Sequence, residues 1–346
     1  MQRRLPALIL FASLVALGGA PVAAQDGAPA VGTPVTYVDP EGIIRGEVTV
    51  REVVDPFTEH DPAYPPPEGM RYVFLVTTFQ AAIDQPFDAQ PWQVLLQDTD
   101  GRLYSYQNVP RPGSATMPDL QGQTMAPDNR ISGAISYTVP ATATLDRVVF
   151  QPASDRLIEI ADLGGAAGAA PGEPVTYTDA AGASATITTQ LIDPFTAHDP
   201  AYPPAEGSRF VVLQPVFENT GQLPFYADPN DLVVRDASGQ LYYQTTVYQP
   251  EGFSVPPLEG QTTSPGDRVS GYVGFAVPAD AQLVDVLYYP ESARISTLVD
   301  LTSGGGTAPE QPTEAASPAP ATSVAPAATG APAATPEPGA TAGVER

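Results

Sequence analysis

The chain has no cysteine in its 346 residues. That excludes a disulfide framework, a thiolate nucleophile and the lipid-attachment cysteine of bacterial lipoproteins. It does not argue against export, because domains of ordinary size fold without staples. Basic residues are scarce as well. Fifteen Lys and Arg face 39 Asp and Glu, for a net charge of −24, so nucleic-acid backbones and anionic membrane surfaces are poor partners. Histidine occurs twice, as His60 and His198, and tryptophan once. A serine nucleophile would have only those two imidazoles as base, and neither a Gly-x-Ser-x-Gly elbow nor a His-Glu-x-x-His helix is present. Acids are so numerous that no glycosidase-type pair can be singled out. The expectation is a protein that is not an enzyme and needs no cofactor or metal. Helical periodicity is missing, and no run beyond the N-terminus approaches the roughly 20 apolar residues of a membrane span.

What the chain does contain is a repeat. Asp55-Pro-Phe-Thr-Glu-His-Asp-Pro-Ala-Tyr-Pro-Pro-Pro-Glu-Gly-Met-Arg71 returns as Asp193-Pro-Phe-Thr-Ala-His-Asp-Pro-Ala-Tyr-Pro-Pro-Ala-Glu-Gly-Ser-Arg209, matching at 14 of 17 positions. The offset, 193 minus 55 or 138, continues through Gly101/Gly239, Gly122/Gly260, Gly133/Gly271, Pro140/Pro278 and Asp162-Leu163/Asp300-Leu301. The resulting organisation is a signal peptide over residues 1–24, a repeat over 33–163, a Gly/Ala linker over 164–171, a second repeat over 172–302, and a disordered tail over 303–346. The tail is Pro, Ala, Thr, Gly and Glu, which cannot offset the entropy of ordering. The linker predicts that the two repeats reorient unless their surfaces pack.

Within each repeat, short runs of Val, Ile, Thr, Tyr and Phe are separated by Pro, Gly and Asp, a strand-and-turn chemistry. Val73, Leu75 and Phe79, and their counterparts Val211, Leu213 and Phe217, fall at even spacing and should face a core. Val94–Asp98 and Leu103–Tyr106 flank Thr99-Asp100-Gly101, which reads as a hairpin with glycine at the positive-φ position. About seven such strands per repeat describe a β-sandwich.

Two further patterns carry a resemblance. Asp-x-x-Gly-x-x-Tyr recurs as Asp98, Gly101, Tyr104 and as Asp236, Gly239, Tyr242, and Pro265-Gly-Asp-Arg-Val-Ser-Gly-Tyr-Val-Gly-Phe-Ala-Val-Pro278 closes the second repeat. These resemble the telokin-like, immunoglobulin-like secreted bacterial domains of unknown function, a group similar in fold to immunoprotective secreted antigens. The resemblance implies an all-β fold of two tandem immunoglobulin-like sandwiches, and export, but no chemistry. The first repeat departs from the pattern at Asp128 and Tyr137.

The duplicated loop supplies the candidate residues. Phe57, His60 and Tyr64, with Phe195, His198 and Tyr202, are the candidate binding residues. Asp55, Asp61 and Glu68, with Asp193, Asp199 and Glu206, are candidate turn-formers, because an aspartate beside proline caps nearby backbone N–H groups. A calcium site built from these oxygens and a partner surface are the competing readings. Asp98-Thr-Asp-Gly101 imitates the start of a calcium loop, but Val109 stands where a bidentate Glu is needed. Trp92 has Asn230 as its counterpart, so an aromatic platform shared by both repeats should not depend on it. The expected function is a secreted or envelope-associated binding module for an extracellular protein or glycan. A structural spacer is the alternative, and an envelope hydrolase the weaker one.

Arg3-Arg4, the apolar run Leu8–Leu17 and the small residues Val22-Ala23-Ala24 have the order of a secretory signal. The exported chain is therefore expected to begin at Gln25, which intact-mass measurement on material from the culture medium checks. Retention of Met1 would overturn it.

Overall fold

The computed structural model describes residues 28–113, 117–165, 168–250, 255–291 and 293–302. The proposed signal peptide and tail lie outside them. The fold is all-β, with many short antiparallel strands. The first half runs β1 (Val35–Val38), β2 (Ile44–Val54), β3 (Met70–Ala81), β4 (Phe87–Ala89), β5 (Val94–Asp98), β6 (Leu103–Tyr104), β7 (Gln123–Met125), β8 (Arg130–Pro140), β9 (Leu145–Ala153) and β10 (Arg156–Asp162). The second runs β11 (Pro174–Thr178), β12 (Ser184–Ile192), β13 (Ser208–Asn219), β14 (Phe225–Ala227), β15 (Leu232–Asp236), β16 (Leu241–Tyr242), β17 (Gln261–Thr263), β18 (Arg268–Ser270), β19 (Val273–Pro278), β20 (Leu283–Glu291) and β21 (Arg294–Asp300). This is more and shorter pieces than the seven expected. In the first half a β1-β2-β3-β8 sheet faces a β10-β9-β5-β6 sheet, and the pair β4-β7 stands beside them. The second half repeats this order with β11-β12-β13-β18/β19, β16-β15-β20-β21 and β14-β17.

Alternation along β3 and β13 sends Val73, Leu75, Phe79, Val211, Leu213 and Phe217 inward, all fully buried in two separate apolar cores. Two expected departures of the first half have physical compensations. Asp128 adopts the positive φ of 62° that Gly266 holds at 84°, which aspartate tolerates better than most residues. The buried Tyr137 hydroxyl donates to the Val94 carbonyl at 2.9 Å, and burial pushes its pKa well up. At the matching place the second half has Phe275, and its deep phenol is Tyr288 instead, in contact with Asp231.

The halves also differ where the sequence spacing did not warn of it. β2 has 11 residues and β12 has 9. The two extra are bulges, each at an arginine. The β1–β2 register skips Arg45 and the β2–β3 register skips Arg51. Ahead of the duplicated loop the offset is therefore 140, as Gly42 and Gly182 show. A second difference lies opposite. β8 runs unbroken beside β3, whereas its counterpart splits into β18 and β19. Pro215 stands in β13 where β3 has Thr77, and proline cannot donate the ladder hydrogen bond.

The halves pack on one another, so the flexible linkage allowed by the linker composition gives way to a shared seam. Leu95, Val149 and Leu157 of the first half and Val233, Leu241, Leu287 and Ile295 of the second form one buried apolar cluster, each at most 7% exposed. Backbone hydrogen bonds cross the seam in reciprocal pairs. Leu157 N–H donates to the Gly239 carbonyl and Ile295 N–H to Gly101, both at 2.8 Å. Leu241 N–H donates to Asp155 and Leu103 N–H to Ala293, again at 2.8 Å. Each partner of one bond lies 138 residues from its equivalent in the other. Arg156 crosses to Gln240 Oε1 and Arg294 to the Asp100 carbonyl, while each also bonds within its own half, to the Val38 and Thr178 carbonyls. Fully burying seven such apolar side chains contributes at most about 10–20 kcal/mol. Pairing also extends into the linker, where Ala169 lies alongside Val299 as Ala30 lies alongside Asp162.

Gly101 and Gly239 serve two purposes at once. Both have positive φ, and a Cβ on Gly239 would stand 2.7 Å from the Leu157 carbonyl oxygen across the seam. Gly182 also has positive φ but no atom within 4 Å of that position. Gly182→Ala is expected to cost the backbone penalty alone, about 1–2 kcal/mol. Gly239→Ala should cost at least about 1 kcal/mol more in urea unfolding of the whole chain. Equal losses would mean that the seam adds nothing there.

Candidate functional site

The duplicated loop connects β2 to β3, and β12 to β13. Its first and last residues close it. Arg71 grips Asp55 with two hydrogen bonds, Nε to Oδ1 at 2.6 Å and Nη2 to Oδ2 at 2.9 Å. Its remaining N–H groups donate to the Pro140 and Ala143 carbonyls in the β8–β9 turn. Arg209 repeats this on Asp193 at 2.6 and 2.8 Å, and on Pro278, Ala279 and Ala281. The bonds to Asp55 and Asp193 hold both guanidinium groups above their ordinary pKa in spite of partial burial. A planar fork on a carboxylate is a geometry that lysine cannot reproduce. The Asp55-Pro56 and Asp193-Pro194 bonds are cis.

Asp61 and Asp199 behave as turn aspartates, their carboxylates accepting the Ala63 and Ala201 N–H at 2.9 and 2.8 Å. Asp55 and Asp193 do not. Expected to cap backbone amides, they bind the arginines instead, because the loop returns to β3 one residue from Met70 and brings Arg71 beside its start. Glu68 and Glu206, expected to be turn-formers as well, are exposed and form no hydrogen bond or ion pair among the described residues.

The six candidate binding residues separate into three layers. Phe57 and Phe195 are turned inward, 7% and 3% exposed, and Phe57 stacks on Phe74 with ring centres 4.7 Å apart. They anchor the loop and do not present a surface. His60 and His198 are half-buried. Each sets its ring edgewise, at 5.3 Å, against Tyr72 or Phe210, with Nδ1 close to the carbonyl of the next residue. Tyr64 and Tyr202 are the outer layer, 56% and 53% exposed. Their backbones are nonetheless fixed, since Asp61 and Asp199 accept the Tyr64 and Tyr202 N–H and themselves donate to the Pro110 and Tyr248 carbonyls. Sequence reasoning missed Tyr248. It is half exposed and packs against Tyr202 with centres 4.3 Å apart, where the first half has Pro110.

The Asp-x-x-Gly-x-x-Tyr element is a hairpin clasp. Asp98 accepts the Asp100 and Arg102 N–H and, at 2.6 Å, the Tyr104 hydroxyl, and Asp236 does the same for Ser238, Gln240 and Tyr242. Burial and this bond raise both phenols. The aspartate is thereby occupied, as a hairpin requires. Among the described residues no three His, Cys, Asp or Glu converge as a metal would need. Shallow depressions occur among the described residues. One of about 620 Å³ borders the first clamp at Asp55, Arg71 and Asp162, and one of about 400 Å³ lies on β12, β13 and β18 with Thr188, Glu218 and Arg268 in its wall.

One carboxyl stands apart in its electrostatics. Asp231 is raised from the ordinary value to about 6 by burial and by the neighbouring Asp228, with the Tyr288 hydrogen bond pulling the other way. The signal was present as two aspartates three residues apart, but nothing in the sequence showed that one is half-buried.

No family model matches the chain, and no curated protein does. Among solved structures it is similar to the YjhA protein from Bacillus subtilis, at 17% identity over 35% of this chain and 81% of that one, with a TM-score of 0.25. A likeness of that size carries no argument.

Because the folded protein favours neutral Asp231, the residue's contribution to stability is full below pH 4 and is lost as pH rises through about 6. Asp231→Asn has no charge to bury, so its melting temperature should gain on the wild type between pH 4 and pH 8. A gap independent of pH would contradict the assignment.

Proposed function

We propose that the protein is an exported, non-enzymatic interaction module built from immunoglobulin-like sandwiches of the telokin-like type, and that its duplicated loop recognises an extracellular partner. The observation that supports this reading is the division of labour within the loop. The Asp–Arg clamp, the inward phenylalanine and the edge-packed histidine immobilise the backbone, yet the tyrosine they surround stays more than half exposed in both halves. A turn needs the first three and has no use for the fourth. Tyrosine on a pre-ordered backbone is an economical contact residue, with large area and few torsions left to freeze. With two loops on one chain, a repetitive partner gains avidity. The spacer reading draws support from the clamp alone, which would hold the loop whether or not anything binds.

Replacing Tyr64 and Tyr202 together by Ala separates the two readings. Loss of partner retention from envelope extracts, with the melting temperature within about 2 °C of the parent, is the expected result. An equal loss of retention and fold, or unchanged retention, would return the loop to pure architecture.

A further inference from the structure

β4 and β14 lead into short 3-10 turns, and the outward face of each such segment repeats a set of side chains without repeating a single residue. In the first half Asp88 and Trp92 are exposed and Gln90 is half-buried, its Oε1 turned in and its Nε2 toward Asp88, between the buried Phe87, Ala89 and Pro91. In the second half Tyr226 and Asn230 are exposed and Asp228 is half-buried, between the buried Phe225, Ala227 and Pro229. The positions 88, 90 and 92 correspond to 226, 228 and 230 at the offset of 138. Position by position the residues differ. As sets, each face carries one aromatic ring, one carboxylate and one carboxamide.

The rings also return to the same place. A Cβ on Gly122 would stand 2.0 Å from Gln90 Oε1 and 3.2 Å from Trp92 Cζ3, and one on Gly260 would stand 2.6 Å from the Tyr226 hydroxyl. Those glycines are equivalent, so each half leaves out a side chain where its outward face closes in, against the Gln90 amide and Trp92 ring in the first half and the Tyr226 phenol in the second. Core packing does not account for this, since Trp92 is 60% and Tyr226 54% exposed. Asn230 stands at the position of Trp92, and in the second half a ring is supplied from four residues earlier, by Tyr226.

Beside each ring the carboxylate and the amide are tied together. Gln90 Nε2 donates to Asp88 Oδ1 at 2.7 Å, with Thr124 Oγ1 on the same oxygen at 3.2 Å. Asn230 Nδ2 donates to Asp228 Oδ1 at 2.8 Å, as does its own backbone N–H at 2.9 Å. A pyranose presents the complement of this arrangement. Its C–H edge sits on an aromatic face, and adjacent hydroxyls donate to a carboxylate and accept from an amide. Nucleic-acid bases stack on aromatics too, but their phosphates meet a chain of net charge −24. The aspartate in each face repels acidic sugars for the same reason. We propose that the two faces, Asp88/Gln90/Trp92 and Tyr226/Asp228/Asn230, are sugar-binding sites for an uncharged pyranose glycan. This proposal is independent of the duplicated loop.

Affinity electrophoresis of the full chain tests it, in native gels containing soluble β-glucan, galactomannan or arabinoxylan, with pectate as the acidic comparison. Trp92 is the only tryptophan, so its emission reports on the first face alone. At least one neutral glycan should retard the protein, shift that emission to the blue and protect it from acrylamide. Trp92→Ala with Tyr226→Ala should weaken retardation at least ten-fold while leaving the melting curve in place. Tyr64→Ala with Tyr202→Ala should leave retardation intact, which keeps this outcome separate from that of the loop. Retardation by none of the neutral glycans, by pectate alone, or undiminished in the Trp92/Tyr226 double variant overturns the proposal.

Discussion

The hydrogen bonds from Leu157 to Gly239 and from Ile295 to Gly101 decide how everything else in the chain is placed. Each ends on the carbonyl of a hairpin glycine, and the hairpin is itself clasped by an aspartate and a tyrosine. The turn chemistry of one half is therefore a docking surface for the other. Charge reinforces the match. Positions 97 and 147 carry Gln and Arg, and the equivalent 235 and 285 carry Arg and Asp. Arg235 grips Asp285 and reaches the Leu157 carbonyl across the seam, while Gln97 reaches the Ile295 carbonyl at 2.6 Å. Burial works against the Arg147 charge, but Glu159, Asp146 and, from the other half, Asp285 keep its pKa raised. Two first halves pairing with each other would set Arg147 against Arg147 in that seam, so the charges select first with second.

With the seam closed, the separation of the two loops is no longer a property of the linker. A flexible tether would spread them over a range of distances, and avidity would fall with that spread. A buried apolar cluster crossed by paired backbone bonds fixes them to one arrangement. The Asp–Arg clamps continue the same logic within each half, since they tie the loop both to β3 and to the β8–β9 turn, or to their counterparts. Among the large apolar side chains left exposed are the aromatics Tyr64, Trp92, Tyr202, Tyr226 and Tyr248.

Most of the fold was legible in the sequence because strands announce themselves by alternation and turns by glycine. Val73, Leu75 and Phe79 could be placed inward from their spacing alone, and Gly101 could be assigned its positive φ. The seam was not legible. Leu95, Val149 and Leu157 look like any strand residue, and nothing local distinguishes an apolar side chain facing its own core from one facing a second domain. The bulges at Arg45 and Arg51 were hidden because one extra residue in a strand leaves composition unchanged. At the loop, residue type misjudged direction. Phe57 and Tyr64 are both aromatic, but only the structure shows one buried and the other exposed. The two aromatic rings were obscured by aligning residue with residue, which sets Trp92 against Asn230 and Tyr226 against Asp88 and conceals that both rings end beside equivalent glycines.

The absence of native cysteine offers a clean test of the locked arrangement. Glu68→Cys with Glu206→Cys places one spin label on each exposed loop shoulder, and double electron–electron resonance then reads the distance between them. A single narrow distribution, broadened when Ile295→Asp opens the seam, is the result expected of halves held together by their packed surfaces. A broad distribution in the protein without the Ile295 substitution would contradict it and return the two halves to independent motion about the linker.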